Sequence, residues 1–532
     1  MKKQIGFLMA LLAFAAHSAE RKPDIVVVLC DDMGYSSVGC FGGEIQTPNI
    51  DRLADTGMRF SQFYNCAKCT STRISIMSGQ YEGRAGGRAL KHSVSMGEAL
   101  RPLGYRTIAV GKWHLDEKKD PTQYGFDRHF GHLNGLCNYF TGNEHYWKNG
   151  KPFKKFPKDF YATDAFTDFS IESIKESIAE APERPFFLYL AYNAPHGPLH
   201  CKQQDFEKYA ETYKVGWDKI RAARYQRQTE MGLIDPKWNL SLRPDFIPTW
   251  DQLPEPEKAV QAKIMAAYAG IVDNVDQNVG RLVEYLKEAG RWENTLFIFL
   301  SDNGASPFMN PKFKNREPWD PASTINVGVG WANADNTPFG WFKQNQHEGG
   351  ISTPAIVHWP ATIKEQGTIN DEPLHVMDVL PTLLDVSGGR YPKSFPDREI
   401  RAPSGKSFLA LLQGENKKIH DELFFQYSIN RALRVGDWKI ASARNGPWEL
   451  YNLADDRTET QNLATGFPER IKAMQARWHE MAKSVTKVND KYSKPVGDSI
   501  IEWGKDQKNV KKKDPRQGTP GNFHEMGKKK KK

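Results

Sequence analysis

Cys69-Thr70-Ser71-Thr72-Arg73 sets a thiol four residues ahead of a guanidinium, and Ile74, Ile76 and Met77 behind it supply the apolar side of a helix. A thiol on the first turn of a helix lies among free backbone N–H groups at the positive end of the dipole, which favours an anion or a nucleophile. Arg73, one turn further on, adds a fixed cation. A buried thiol that merely opens a helix would give the same five residues, so the surroundings decide. Asp31 and Asp32 are adjacent carboxylates that repel each other unless a cation or donors sit between them; a solvated acidic loop is the plain alternative. Asp302-Asn303 is a second oxygen-bearing pair and completes an all-oxygen set with them. Lys112 and His114, two apart, share one side of extended backbone and suit an oxyanion, or are a surface pair. His196, held between Pro195 and Pro198, is rigidly placed, as a structural histidine also would be.

The elements that must position these groups follow from apolar patterning. Asp24 to Cys30 is a short, continuously apolar, β-branched run, the pattern of a central parallel strand, and it ends at Asp31-Asp32. Gly104 to Leu115, Phe186 to Tyr192 and Thr295 to Leu300 repeat it and deliver Lys112 and His114, then His196, then Asp302. Open α/β sheets carry their sites at the carboxyl ends of such strands. Thr47 or Asn49 caps a helix with Pro48 in its first turn. Lys263 to Gly290 reads as an amphipathic helix ending at Gly290, and Ala355 to Trp359 as a further core strand. Gly388-Gly389 and the prolines to Pro403 read as a linker. Beyond it Leu423–Tyr427, Ala432–Ala441 and Trp448–Leu453 read as antiparallel strands, with a helix from about Pro468 to Ser484.

Seven landmarks in order resemble the type I sulfatases: Asp31-Asp32-Met33-Gly34, the Cys69 signature, Gly111-Lys112-Trp113-His114-Leu115, Pro195-His196, Ser301-Asp302-Asn303-Gly304, Lys343 with Glu348-Gly349-Gly350, and Asp378-Val379-Leu380-Pro381-Thr382. Glu449-Leu450-Tyr451-Asn452-Leu453 carries the likeness on to about Leu463. Two positions depart from the family's Cys-x-Pro-Ser-Arg: Ser71 stands for the usual Pro and Thr72 for the usual Ser. The resemblance implies an alkaline-phosphatase-like α/β fold, a large mixed β-sheet between helices with a smaller C-terminal antiparallel α+β domain. The corresponding division is a signal peptide at 1–19, a catalytic domain at 20–388, a C-terminal subdomain at 389–504 and a Lys-rich tail at 505–532.

The same resemblance implies Cys69 converted to formylglycine by a formylglycine-generating enzyme during maturation. It also implies one divalent cation, calcium in most relatives with magnesium as the alternative, on Asp31, Asp32, Asp302, Asn303 and the converted Cys69. Four oxygen side chains without a thiolate or imidazole describe a hard cation. One hydroxyl of the hydrated aldehyde, activated by the metal and Arg73, would attack sulfur, while Lys112 and Lys343 absorb charge on the sulfate oxygens. His196, alone or with Lys343, would protonate the leaving alcohol, and His114 would take the proton that lets sulfate depart. The expected activity is sulfuric ester hydrolysis, with a sulfated carbohydrate as substrate. Two other readings stand beside it. A phosphodiesterase or phosphonate monoester hydrolase of the superfamily with two metals would need further histidine ligands. A silent binder of sulfated glycans would fit the Ser71 departure.

Met1 to Ala19 has the layout of a secretory signal, with Lys2 and Lys3 ahead of the apolar run Ile5 to Ala16 and small residues after it. It implies an exported protein, periplasmic or secreted. The run is too short for a comfortable span, and no later stretch approaches ~18 consecutive apolar residues, so no transmembrane anchor is expected. The formal charge of +9 over 532 residues is unevenly placed: Lys505 to Lys532 carries net +8, the signal +2 and the body −1. The tail alone suggests a nucleic-acid protein, and a neutral, exported body counts against that reading. Six cysteines leave five once Cys69 is converted, room for one or two disulfides and no dense framework. Residues 199–257, with Tyr213, Trp217, Arg221, Arg224, Tyr225 and Trp238, read as an insertion over the site. With Trp319, Trp331, Phe339 and Trp341 they are the expected surface for sugar stacking and for grip on neighbouring anions.

Overall fold

The computed structural model of the chain describes residues 21–309, 316–444 and 446–486. The expected signal peptide and Lys-rich tail lie outside them. Eleven strands form one sheet: β1 Asp24–Cys30, β2 Met58–Tyr64, β3 Arg106–Lys112, β4 Arg128–His132, β5 Tyr146–Lys148, β6 Lys151–Pro152, β7 Phe186–Ala191, β8 Thr295–Ser301, β9 Ser352–His358, β10 Thr368–Asn370 and β11 Leu374–His375. Their order is β10-β2-β9-β8-β1-β7-β3-β4-β5-β6, with β11 also on β2. The run β8-β1-β7-β3-β4 is parallel throughout, and antiparallel β9 and β5 flank it. A second sheet is fully antiparallel: β12 Glu422–Tyr427, β13 Asn430–Val435, β14 Trp438–Ser442 and β15 Glu449–Asn452. The fold is therefore α/β, a large mixed sheet between helices with a smaller antiparallel sheet.

The helices that matter here are α1 Pro48–Asp55, α2 Cys69–Ser78, α3 Ala162–Glu180, α4 Trp217–Glu230, α5 Glu255–Glu288, α6 Val329–Asp335, α7 Val379–Val386 and α8 Pro468–Thr486. Strand β1 shows why its run is apolar throughout. Side chains alternate across a sheet, so Val26, Val28 and Cys30 enter the core beneath α3 and α5, with Phe166, Ile174, Ile264 and Ile271. Ile25, Val27 and Leu29 enter the opposite core, with Ile74, Ile76 and Met77 of α2 and Leu380, Leu383 and Leu384 of α7. The second sheet is sandwiched too. Leu423, Phe425, Ala432 and Tyr451 pack on Tyr64, Ala67, Ile351 and Met377 of the large body. Phe424, Leu433, Ile440 and Leu450 pack on Met474, Trp478 and Ala482 of α8.

Several expectations change. The 263–290 helix begins at Glu255, though Gly290 does sit just past its end at φ 66°. Thr47 stands at the N-cap of α1 but makes no side-chain cap bond: its hydroxyl accepts the Gly39 N–H at 2.8 Å and donates to Asp51. Ala432–Ala441 is two strands folded at Gly436, whose φ of 56° suits glycine. Strand β3 stops at Lys112, and His114 has a left-handed φ of 53°, so extended backbone is not what aligns Lys112 with His114. Phe408, Leu411, Leu412 and Ile419, beyond Gly388-Gly389, pack in the core of the large body. All six cysteines are free thiols. No helix among the described residues is long and apolar enough to cross a membrane.

Candidate active site

Four parallel strands end side by side, and the residue types singled out above converge at their carboxyl ends. Asp31 and Asp32 follow β1, Lys112 closes β3, His196 lies on the loop after β7, and Asp302 and Asn303 follow β8. Register explains the meeting: Cys30 pairs with Ser301 and Leu29 with Ala191, so the three chains leave the sheet at one level. Hydrogen bonds then tie the loops together. The Asp32 N–H donates to Asp302 Oδ1 at 3.2 Å, Asp302 N–H to the Cys30 carbonyl at 3.0 Å, and Asp31 N–H to the Ala194 carbonyl at 2.9 Å. Asp32 itself takes φ 66°, which a non-glycine residue adopts at a cost.

Helix α2 enters from the other side of the sheet edge. Cys69 is its first residue and is buried. Arg73, fully buried, donates Nε and Nη2 to Asp302 Oδ2 at 3.1 and 2.8 Å, and Nη1 to the Lys112 carbonyl at 2.8 Å. This guanidinium joins α2 to β8 and to β3. Lys112 Nζ binds Asp31 Oδ2, and Lys343 Nζ binds Asp32 Oδ1. His196 Nδ1 meets the Gly197 carbonyl at 2.6 Å. A carbonyl only accepts, so Nδ1 carries the proton and Nε2 faces Asp32 Oδ2 at 3.5 Å. His114 Nε2 lies 3.1 Å from Thr70 Oγ1. Every sequence-predicted site residue is thus in one place.

Not every oxygen of the site is satisfied. Asp31 Oδ1, Asp32 Oδ2 and Asn303 Oδ1 are buried without a hydrogen-bond partner, which is costly unless something else satisfies them. Ligand atoms of Asp31, Cys69 and Asp302 lie within 4.8 Å of one another, as do those of Asp31, Asp32 and His196. Burial and the Asp31 charge push the Asp302 carboxyl well above the usual range, even against Arg73. Burial works the same way on Asp31, but Lys112, His196 and Arg73 outweigh it and hold it low. An oxygen-rich, partner-short pocket fits one hard divalent cation. Burial raises the Cys69 thiol, yet Lys112, Lys343 and Lys68 bring it down to about 6. Burial, then Lys112 and Arg73, hold His114 well below its ordinary value.

Two residues escaped the sequence reading. Thr70 holds His114, and Lys68, half-buried at the cap of α2, puts a third ammonium near Cys69 and Asp32. Thr70 sits inside the Cys69 signature and Lys68 just ahead of it, where polar neighbours of a thiol were signal enough.

The expected specificity surface on α4 is overturned. Arg224 is fully buried, with Nη1 on Asp335 Oδ1 at 2.7 Å and Nε and Nη2 on Glu44 at 2.8 and 2.7 Å. Asp335 in turn receives the Gly34 N–H at 3.2 Å and the Ser37 hydroxyl at 2.8 Å, so Arg224 braces the loop after Asp32. Arg221 is buried on Ser241, and Tyr213, Trp217 and Trp331 pack ring on ring in the core. Phe339 is buried as well, while Tyr225, Trp238, Trp319 and Trp341 remain half-exposed. Arg224 is buried against paired carboxylates, and these come from segments far away in the chain.

The sulfatase family profile matches residues 23–389, and the profile of N-sulphoglucosamine sulphohydrolase, C-terminal, matches 337–488. An uncharacterised sulfatase of Schizosaccharomyces pombe is 33% identical, over 88% of this chain and 94% of its own. The arylsulfatase of Klebsiella aerogenes is 30% identical, over 79% and 99%. Among solved structures, Ps i-CgsB in complex with k-i-k-neocarrahexaose superposes with a TM-score of 0.67 at 24% identity, over 91% of this chain and 98% of that one. These matches span both sheets and the converged site, and the chain belongs to the sulfatase family, as a type I, arylsulfatase-like sulfuric ester hydrolase of the alkaline-phosphatase-like superfamily.

Proposed function

We propose that the protein removes sulfate from a sulfated carbohydrate, using Cys69 as formylglycine and one calcium ion, with magnesium able to substitute. The observation that carries this reading is the set of partnerless oxygens of Asp31, Asp32 and Asn303 beside Cys69 at the start of α2. Three carboxylates, Asp31, Asp32 and Asp302, already balance Lys112, Lys343 and Arg73, so a divalent ion would leave the site positive and suited to a sulfate ester. A cation held by Asp31, Asp32, Asp302, Asn303 and the modified Cys69 would draw charge from the sulfate oxygens. Formylglycine at 69 would supply an aldehyde hydrate, with one hydroxyl as nucleophile and the other to let sulfate go by elimination.

The chain's own residues do the rest. Lys112 and Lys343 turn from the carboxylates toward sulfate oxygens. Arg73 keeps Asp302 and the first turn of α2 in fixed relation. His196, with Nδ1–H held by Gly197, gives the leaving oxygen a proton from Nε2 when the ring is doubly protonated, and Lys343 is the second donor there. His114, fixed by Thr70, receives the proton whose loss releases sulfate. Carbohydrate is supported by the oligosaccharide in the Ps i-CgsB complex and by the sugar named in the C-terminal profile. The layout of residues 1–19 supports export to the periplasm or beyond, and maturation calls for a formylglycine-generating enzyme.

The test is turnover on a sulfated oligosaccharide, nitrophenyl sulfate and a phosphonate monoester, with and without a chelator. The reading expects the highest kcat/KM on the sugar sulfate and a chelator that lowers both turnover and melting temperature. Faster phosphonate hydrolysis would transfer the site to the phosphonate monoester reading.

A further inference from the structure

We propose that the lysine-rich edge of the large sheet, Lys148 to Lys158, is a docking surface for a polyanionic carbohydrate, a chain bearing several sulfate groups. This rests on the carbohydrate reading above and adds that the substrate is a polymer. Lys148, Lys151, Lys154, Lys155 and Lys158 fall within eleven residues that include no Asp or Glu, and all five are exposed. Among the described residues none of these ammonium groups holds a carboxylate or a hydrogen-bond acceptor; Lys148 lies over the Phe169 ring at 5.2 Å. Elsewhere on the surface Lys202, Lys208, Lys214, Lys258, Lys263 and Lys287 each hold a carboxylate. The body as a whole is close to neutral, so the positive charge here is local.

The tract is held in shape at an electrostatic cost. Lys148 and Lys151 stand directly opposite each other on β5 and β6, an arrangement that like charges disfavour. Phe153 and Phe156 turn inward, with ring centroids 5.2 Å from Phe130 and 5.1 Å from Tyr146, so the intervening lysines project outward. Direction matters as well. Strand β5 runs antiparallel to β4, so the chain after the Asn149-Gly150 turn runs with β3 and β4, and the Phe153 N–H donates to the Tyr146 carbonyl at 2.7 Å. Tyr146 is level with His132, and His132 with Lys112. The lysines beyond Phe153 therefore advance toward the sheet edge that bears the catalytic groups. Flanking acids are few: Glu144 and Asp159 are exposed, and Asp120 is buried, accepting the Gly150 N–H. Five unneutralised lysines along an edge match repeated sulfates better than one anion, and such a field raises capture of an oppositely charged chain.

The experiment compares the full protein with a variant carrying Lys151→Gln, Lys154→Gln, Lys155→Gln and Lys158→Gln, and with the same four changed to Arg. The basic tail is common to all three, so differences read the tract. At low salt the Gln variant should raise KM on a sulfated polysaccharide about tenfold, with kcat and nitrophenyl sulfate kinetics unchanged. The Arg variant should match the parent, and the gap should close at about 0.5 M NaCl, where screening reaches only a few Å. An unchanged polysaccharide KM in the Gln variant would overturn the proposal. Dextran sulfate binding, measured without turnover, separates this from the catalytic reading. Loss of binding in the Gln variant upholds the surface even if no sugar sulfate is cleaved, and retained binding removes it. Single-stranded DNA or anionic vesicles held more tightly than dextran sulfate, and released by the same variant, would assign the surface to a different partner.

Discussion

At the residue scale, His196 separates two demands on the site. Its Nδ1–H is committed to the Gly197 carbonyl, and Nε2 is the atom that faces the carboxylates. A sugar alkoxide leaves poorly without a proton, whereas a nitrophenolate hardly needs one. His196→Ala should therefore cost about 10²–10⁴ in rate on a sugar sulfate and clearly less on nitrophenyl sulfate; equal losses would remove it from the acid role. Arg224 makes the opposite case. It touches no substrate, and its removal takes the cation from buried Asp335 and leaves Glu44 to Arg227. Arg224→Ala should lower stability by about 3–5 kcal/mol, seen in denaturant unfolding, and slow all sulfate esters alike through the Met33–Ser37 loop. A selective rise in oligosaccharide KM at unchanged stability would restore it to a specificity surface.

At the element scale, the second sheet is joined to the large body by charge. Glu348, which opens the short turn ahead of β9, accepts Lys439 of β14 on Oε1 at 2.8 Å, and Arg457 at 3.3 Å together with Tyr64 and Ser352 on Oε2. Burial raises its carboxyl, but Lys439 and Arg457 outweigh this and draw it from 4.5 down to about 2. A carboxylate whose folded value is depressed adds stability that is complete above its unfolded value and is lost as pH falls toward the folded one. The melting-temperature gap between the wild type and Glu348→Gln should hold above about pH 4.5 and close toward pH 2; a gap constant across that window would contradict the assignment. Glu348-Gly349-Gly350 was legible as a landmark, yet its partners were not, because Lys439 and Arg457 lie about a hundred residues on. The same limit hid α4. Trp217, Arg221 and Arg224 read as surface residues until Glu44, Ser241 and Asp335 arrive from elsewhere. The site strands were legible because a strand buried on both faces must be apolar at every position, which leaves its polar terminus conspicuous.

At the scale of the whole molecule, one sheet brings four strand ends to a single level, α2 delivers Cys69 to that level, and the second sheet braces the loop that carries Lys343. The arrangement gains its purpose only if Cys69 is not left as a thiol. Ser71 and Thr72 alter the signature around it, so conversion is the claim on which the rest depends. The decisive measurement is the mass of the Cys69 peptide from purified protein, taken alongside specific activity on a sulfated oligosaccharide across preparations matured to different extents. The account predicts an aldehyde in place of the thiol and activity proportional to the converted fraction, with none in Cys69→Ala. Full activity from protein whose Cys69 peptide carries only the thiol would contradict it.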